Sequence, residues 1–176
     1  MNSGEKKLSY SSIPGRIAVV TETFPPEVNG VAHSIARFCG GLLERGVSLQ
    51  IVRPGQPGVS GGWPCAAADH LLLPGISLPG YAAVRFGLPA TERLARDWRD
   101  RRPDIVHIVT EGPLGWSALR AARKLGIPAS SSFHTNFQGY ASHYGAGLAT
   151  RAVMAYLRHF HNQTSLTIVP TAQMRS

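Results

Sequence analysis

The chain has 176 residues, of which 43% are hydrophobic and 16% are charged, so it has enough apolar material to build the core of one ordinary domain. It contains no apolar run near the roughly 18–20 residues of a membrane-spanning helix, and its two cysteines, Cys39 and Cys65, are too few for a disulfide scaffold. These features exclude a disordered chain, a transmembrane protein and a disulfide-rich secreted module. They favour a cytoplasmic domain with two buried thiols.

The charge balance is strongly basic. Eighteen Lys and Arg residues stand against ten Asp and Glu residues, which gives a formal net charge of +8. Such an excess favours a polyanionic partner, that is, nucleic acid, an anionic membrane surface or a phosphate-bearing ligand. The basic residues are scattered apart from one short cluster at Arg99, Arg101 and Arg102, so charge alone does not choose among these partners.

The first predicted element is a strand at 17–20, a short apolar run typical of a parallel strand covered on both faces. Beyond a polar loop, apolar residues recur at three- and four-residue spacing between Val31 and Leu43 and predict a helix that ends near Gly46. A second strand follows at 49–53. The residues before Arg16 are predicted to form a flexible leader, 1–15, ahead of a single domain, 16–176.

The middle of the chain is rich in glycine and proline. Residues 54–69 and 74–89 are therefore predicted to be loops on either side of a short third strand, 71–73.

Helix and strand patterns then alternate to the end of the chain. The predicted elements are a helix at 91–102, a strand at 105–109, a helix at 113–125, a strand at 128–133, a helix at 148–160 and a strand at 166–169. This alternation predicts βαβ crossovers and an α/β fold, a Rossmann-like open and mostly parallel sheet with helices on both faces.

Ligands of such sheets bind at the carboxyl ends of the strands, so the loops after the first, fourth and fifth predicted strands are the candidate site. The first loop closes with Asn29 and Gly30 at the start of a helix, where free amide groups suit a phosphate. The alternative is a plain loop in which Asn29 only caps the helix.

The other two loops carry polar groups suited to a sugar. Glu111, followed by Gly112, can accept hydrogen bonds from sugar hydroxyls, or it is a solvated or capping carboxylate. His134 comes after the fifth strand at the mouth of the crevice, where it is either functional or a satisfied structural histidine. Tyr81 and Arg85, in the loop after the third strand, either line an acceptor site or only pack against the loop.

Several kinds of chemistry are disfavoured. The chain lacks the G-x-G-x-x-G fingerprint and the P-loop, as well as the nucleophile elbow, a Ser-His-Asp order and a close carboxylate pair. The spacing of His159 and His161 places the two rings on different faces of a helix, so no metal site is expected. Arg151, Arg158 and His161 form either a basic helix face for anionic lipid or a solvated face.

Three segments, in order, resemble the family 4 glycosyltransferases. They are RIAVVTETFPPEVNGV at 16–31, RPDIVHIVTEGPLG at 102–115 and SFHTNF at 132–137. The closest resemblance is to the bacterial branch that contains GDP-mannose-dependent α-mannosyltransferases and sulfoquinovosyl-diacylglycerol synthase-like enzymes. Family members are retaining enzymes of GT-B architecture, in which two Rossmann-like domains face each other across a cleft.

The resemblance also implies roles for individual residues. The donor diphosphate would lie at Asn29 and Gly30, and the catalytic residue would be His134, beside the transferred sugar. The acceptor side would be formed by Glu111, Gly112, Thr135 and Asn136, with Tyr81 and Arg85 as further candidates.

The implied function is that of the N-terminal, acceptor-side half of a GT-B enzyme that transfers a hexosyl group, mannosyl in this branch, to a lipid or glycan acceptor. The donor would be GDP-mannose or a UDP-sugar, with no cofactor and no metal, and the C-terminal donor domain would be missing, which leaves the isolated chain inactive. Self-association and a peripheral site at the inner face of an anionic membrane are further expectations. The alternatives are a non-catalytic carbohydrate- or phosphate-binding module and a nucleic-acid-binding domain, the latter without a recognition motif to support it.

Overall fold

A computed structural model of the chain describes residues 15–56, 61–78, 81–134 and 148–169. Its elements, in chain order, are β1 (Arg16–Val20), α1 (Gly30–Glu44), β2 (Ser48–Pro54), β3 (Asp69–Leu73), β4 (Gly75–Leu78), β5 (Tyr81–Gly87), α2 (Thr91–Asp100), β6 (Ile105–Ile108), α3 (Pro113–Lys124), β7 (Ala129–Ser132), α4 (Leu148–His161) and β8 (Leu166–Ile168). Nearly all of the predicted leader and the predicted site residues Thr135 and Asn136 lie outside the described residues.

Six of the strands form one parallel sheet in the order β3-β2-β1-β6-β7-β8. Val19 of β1 pairs with Ile51 of β2 on one side and with His107 of β6 on the other. The strand order thus reverses at β1, and this switch opens a crevice at the carboxyl ends of β1 and β6. The predicted Rossmann-like α/β fold is confirmed.

The sheet is covered by helices on both faces. Ala18 and Val20 of β1 belong to one core cluster together with Trp98 of α2 and several side chains of α3. Ile17 and Val19 point the other way, into a second cluster with residues of α1. Alternate residues of a strand face opposite sides, which explains why β1 is apolar at every one of these positions.

The prediction of a loop at 74–89 is wrong, because β4 and β5 form an antiparallel hairpin there. The glycines that suggested a loop mark close packing instead. A Cβ on Gly75 would lie 2.7 Å from the Cβ of Pro54, and a Cβ on Gly87 would lie 2.7 Å from the Cβ of Leu114. Glycine at a strand end can thus indicate that another residue packs closely against the backbone, as well as a turn.

The predicted helix ends agree better with the structure. Gly46 and Gly126, just beyond α1 and α3, have φ values of +77° and +61° in the left-handed region that favours glycine. Both cysteines are free thiols, although only Cys39 is buried and Cys65 is half-buried. No helix in the part of the chain that the structure describes is long and apolar enough to span a bilayer.

Candidate active site

A cavity of about 750 Å³ lies at the crevice, and all three candidate loops reach it. Its lining residues are Glu22, Thr23, Glu27, Asn29, Gly30, Val31, Ser34, Arg85, Phe86, Thr110, Glu111, Gly112 and His134. The first loop follows β1, the second follows β6 and the third follows β7. The sheet therefore brings together residues that are more than a hundred positions apart in sequence.

Asn29 is the N-cap of α1. Its Oδ1 accepts a hydrogen bond from the amide of Ala32 at 2.8 Å, and its Nδ2 donates to Thr23 Oγ1 at 2.6 Å. Thr23 Oγ1 in turn donates to Glu27 Oε2 at 2.6 Å. The Asn29 side chain thus has the capping role that the sequence left open, and it holds the loop in shape around the helix start.

Gly30 is the first residue of α1, and its φ is not among the positive values of the described glycines. The backbone therefore does not require glycine at this position. A Cβ on Gly30 would meet no atom within 4 Å and would project into open space, although Gly30 lines the cavity. The missing side chain leaves the amides of Gly30 and Val31 open to a ligand, while Asn29 Oδ1 occupies the amide of Ala32.

Glu22 is a buried carboxylate that sequence reasoning did not single out. It is 7% exposed, and its Oε1 accepts a hydrogen bond from the amide of Leu114 at 2.9 Å, in the first turn of α3. Burial raises the pKa of Glu22 to about 7, and the negative charge of Glu111 adds to the rise. The fold thus brings Glu22 close enough to Glu111 for the two carboxylates to interact electrostatically, although they are far apart in sequence.

Gly112 is the N-cap residue of α3, and it leaves room for this carboxylate. A Cβ there would lie 2.0 Å from Glu22 Oε2. Only a residue without a side chain allows the buried carboxyl to reach the start of α3 in this arrangement. Gly112 thus packs against Glu22 in the cavity wall.

Glu111 is held by α4. Its Oε1 lies 3.0 Å from Nε2 of His161, and its backbone carbonyl accepts a hydrogen bond from the hydroxyl of Tyr156. His161 therefore does not belong to a solvated basic face with Arg151 and Arg158, both of which are exposed. No local sequence pattern indicates this contact, because the two partners are 50 residues apart.

His134 is exposed at the cavity, as predicted for the mouth of the crevice. Loss of hydration lowers the pKa of His134, while the nearby Glu111 carboxylate acts in the opposite direction. Behind it lies His107, whose two ring nitrogens contact Ser130 Oγ at 2.9 Å and Ser132 Oγ at 2.8 Å. Burial lowers the pKa of His107 to about 4, so this ring is neutral and anchors the strand that leads to His134.

Arg85 lines the cavity from β5. Its Nη1 donates to Ser77 Oγ at 3.0 Å, and its Nη2 donates to the carbonyl of Gly75 at 2.6 Å. The side chain of Tyr81 lies outside the described residues. Within the described ranges, no group of three or more histidine, cysteine, aspartate or glutamate residues could hold a metal ion.

Residues 28–176 match the protein family described as Glycosyltransferase Family 4. The chain belongs to this family. The match includes Asn29, Gly30, Glu111, Gly112 and His134, so all three loops of the cavity contribute to it.

Family 4 relatives with described activities support this membership. The chain is 34% identical over 161 residues to the GDP-mannose-dependent alpha-mannosyltransferase of Mycolicibacterium smegmatis, an alignment that covers 89% of this chain and 42% of the relative. It is 30% identical over 177 residues to the alpha-monoglucosyldiacylglycerol synthase of Acholeplasma laidlawii, covering 90% of this chain and 41% of the relative. The chain thus spans about two fifths of the length of these relatives.

A solved structure supports the fold. The chain resembles a UDP-N-acetylglucosamine 2-epimerase with a TM-score of 0.52 and 14% identity, over 90% of this chain and 42% of that one. At this identity the likeness shows the Rossmann-like architecture alone.

Proposed function

We propose that this family 4 chain forms the acceptor-side half of a retaining hexosyltransferase. In the proposed reaction a nucleotide sugar transfers its hexosyl group to a hydroxyl of a lipid or glycan acceptor. The nucleotide sugar is GDP-mannose, which donates a mannosyl group, or a UDP-sugar. The new glycosidic bond forms on the same face from which the nucleoside diphosphate leaves, so the anomeric configuration is retained. The observation that carries this proposal is the cavity that joins the Asn29–Gly30 helix start, Glu111 and His134.

The donor diphosphate is proposed to lie at the first turn of α1. Two features support this placement: the first-turn amides of a helix attract anions, and no acidic residue stands in the first turn of α1. Gly30 has no side chain that would block the approach of a phosphate to the backbone. Neither a cofactor nor a metal is part of the proposal.

His134 is proposed to face the transferred sugar. Its lowered pKa favours the neutral imidazole at pH 7. A neutral ring can direct a lone pair towards an anomeric carbon that becomes positively charged, without the repulsion that an imidazolium would add. The proposed catalytic role of His134 is this electrostatic stabilisation of the oxocarbenium-like transition state.

The acceptor hydroxyl is proposed to lie between Glu111 and His134, with Arg85 on the β5 side of the cavity. Thr135, Asn136 and Tyr81 remain proposed members of the acceptor side. A second Rossmann-like domain, as in the family architecture, would close over the donor. We place the enzyme in the cytoplasm and at the membrane surface, where the exposed Arg151 and Arg158 of α4 could meet anionic lipid.

The proposal excludes nucleic acid as a partner, and the short arginine cluster supports that exclusion. Arg101 Nη1 donates to Asp69 Oδ2 at 2.7 Å and its Nη2 to Asp97 Oδ1 at 2.8 Å. Arg102 donates to the carbonyl of Leu125 at 2.8 Å. Two of the three guanidinium groups of the cluster are therefore engaged within the domain, which leaves less basic surface for a nucleic acid.

The test is the substitution His134→Ala in a transfer-competent form of the protein. We expect kcat to fall at least tenfold, or about 1.4 kcal/mol of transition-state stabilisation. His159→Ala, on the exposed side of α4, is the matched control and should leave kcat unchanged.

An unchanged kcat in His134→Ala would contradict the catalytic role. The alternative function, a non-catalytic carbohydrate- or phosphate-binding module, predicts a different pattern. It predicts that the protein binds sugar or phosphate but transfers nothing, even when a donor-side domain is supplied.

A further inference from the structure

A carboxylate, an imidazole and a hydroxyl form a continuous array beside the cavity. Glu111 Oε1 lies 3.0 Å from His161 Nε2, and His161 Nδ1 lies 2.8 Å from Ser131 Oγ. Ser131 Oγ also lies 3.0 Å from Thr164 Oγ1 and 3.1 Å from Thr167 Oγ1. The array joins the loop after β6 to α4, β7 and β8, parts of the chain that meet only in the folded state.

The chemistry of the groups in the array determines which atom donates a hydrogen bond to Glu111. Thr164 Oγ1 donates to the carbonyl of His161 at 2.8 Å, so its oxygen is an acceptor towards Ser131. A carboxylate can only accept, which makes Nε2 of His161 the donor to Glu111. The other ring nitrogen, Nδ1, lies 2.8 Å from Ser131 Oγ, so both nitrogens of the His161 ring have a hydrogen-bond partner.

This array contains the same three groups as a nucleophilic triad, but a substrate has no access to its serine. Ser131 is 0% exposed, in the interior of β7, and it is surrounded by the side chains of α4 and β8. A substrate cannot reach its oxygen. The array can therefore orient a group but cannot attack one.

We propose that His161, supported by Ser131, is a positioning residue that holds the Glu111 carboxylate at the cavity wall. The imidazole occupies Oε1, and the hydroxyl of Tyr156 fixes the backbone carbonyl of the same residue. In this proposal the second oxygen of Glu111, which lines the cavity, accepts a hydrogen bond from a substrate hydroxyl. This inference rests on the proposed function, since it assigns Glu111 to the acceptor.

The charge of the cavity defines the class of acceptor group. Three carboxylates, those of Glu22, Glu27 and Glu111, line it, against one guanidinium, that of Arg85. Two nitrogens of Arg85 already donate to Ser77 and Gly75. Beyond the helix start that is proposed for the donor diphosphate, such a lining disfavours an anionic acceptor group and suits the hydroxyls of an uncharged polyol, such as a sugar or a glycerol headgroup.

The first test concerns the ring nitrogens of His161 in the full chain labelled with 15N-histidine. We expect a hydrogen-bonded Nε2–H signal, assigned by its loss in His161→Gln. Its chemical shift should change in Glu111→Gln and in Ser131→Ala but not in Glu44→Gln, which alters an exposed carboxylate on α1. The proposal would be overturned if His161 showed no such signal, or if the chemical shift of the signal did not change in Glu111→Gln.

The second test measures the affinity of the full chain for methyl α-D-mannopyranoside by NMR titration. His161→Ala should raise Kd at least tenfold, and His161→Gln, whose amide can still donate, should recover much of the affinity. His159→Ala is the control on the same helix and should bind like the wild type. The spectra of each variant show whether it is folded, and Ser131→Ala replaces any variant that is not.

A folded His161→Ala variant that binds the mannoside as tightly as the wild type would overturn the positioning role. Failure of the wild type to bind the mannoside would instead contradict the proposed sugar site. The ring-nitrogen spectra would still decide whether His161 holds Glu111, so the two failures are distinguishable.

Discussion

Glu22 combines burial, a hydrogen bond to the start of α3 and a nearby second carboxylate. Its pKa is raised from 4.5 to about 7, so the folded protein holds a proton that the unfolded chain releases at lower pH. The residue thus couples the stability of the cavity wall to pH. Its amide also donates to Thr110 Oγ1 at 2.9 Å, which ties the first loop to the second.

We expect the wild type to lose stability from this group as the pH rises. Below pH 4.5 the Glu22 carboxyl is protonated in both the folded and the unfolded state. Between pH 4.5 and about 7 only the unfolded chain has lost this proton. The free energy of unfolding therefore falls by roughly 2–3 kcal/mol over this range. Glu22→Gln should remove this decline in the free energy of unfolding, so the variant should become more stable relative to the wild type as the pH rises. Urea unfolding at pH 4.5 and pH 8 measures the difference, with Glu44→Gln as the exposed control.

A Glu22→Gln variant whose stability parallels that of the wild type at both pH values would show that the carboxyl is not desolvated. The Glu44→Gln control should track the wild type throughout. The comparison depends on differences between variants, so the titration of other groups cancels.

At the scale of elements, α3 is set very close to the end of β6. Gly115, in the first turns of α3, is buried, and a Cβ there would lie 2.1 Å from the carbonyl oxygen of Thr110. The opposing group is backbone, which cannot move aside as a flexible side chain would. The position of Glu111 and Gly112 at the cavity therefore depends on a glycine that touches no ligand.

We expect Gly115→Ala to destabilise the chain by about 1–3 kcal/mol, because the added methyl forces α3 away from the second loop. Gly40→Ala is the matched control in α1, where a Cβ meets nothing within 4 Å and the variant should gain about 0.5–1 kcal/mol in helix stability. Urea unfolding of both variants checks the opposite signs. Equal effects would mean that α3 lies farther from β6 than described.

At the scale of the whole molecule, the cavity exists because the strand order reverses at β1. The reversal places the loops after β1, β6 and β7 side by side, while the chain covers about two fifths of its mannosyltransferase relative. The proposed reaction needs groups on both sides of the donor. A half-cleft can orient one substrate but cannot surround the transition state.

We therefore expect the purified 176-residue chain to transfer no sugar from GDP-mannose to lipid acceptors. Radiolabelled GDP-mannose with extracted lipids as acceptors would measure transfer, and the same assay with an added donor-side domain would serve as the control. Robust transfer by the chain alone would contradict the assignment of an acceptor-side half. It would mean that the cavity described here binds the whole donor without a second domain.

Much of the fold was predictable from local patterns. Apolar periodicity predicts the strands β1, β2 and β6. Gly46 and Gly126 predict the ends of α1 and α3, because glycine readily adopts the left-handed backbone found there. Both signals depend only on residues that are neighbours in sequence. The β4–β5 hairpin was missed. Its glycines are required by packing against Pro54 and Leu114, which no local pattern reveals.

The same division holds in the site. The sequence by itself determined the α/β class, the family and the three loops with Asn29, Glu111 and His134, because strand ends and short motifs are local properties. Only the tertiary structure decided that Glu22 is buried against Gly112 and that His161 holds Glu111. Burial and hydrogen bonding between distant residues depend on which elements become neighbours in space, and that is set by the sheet as a whole.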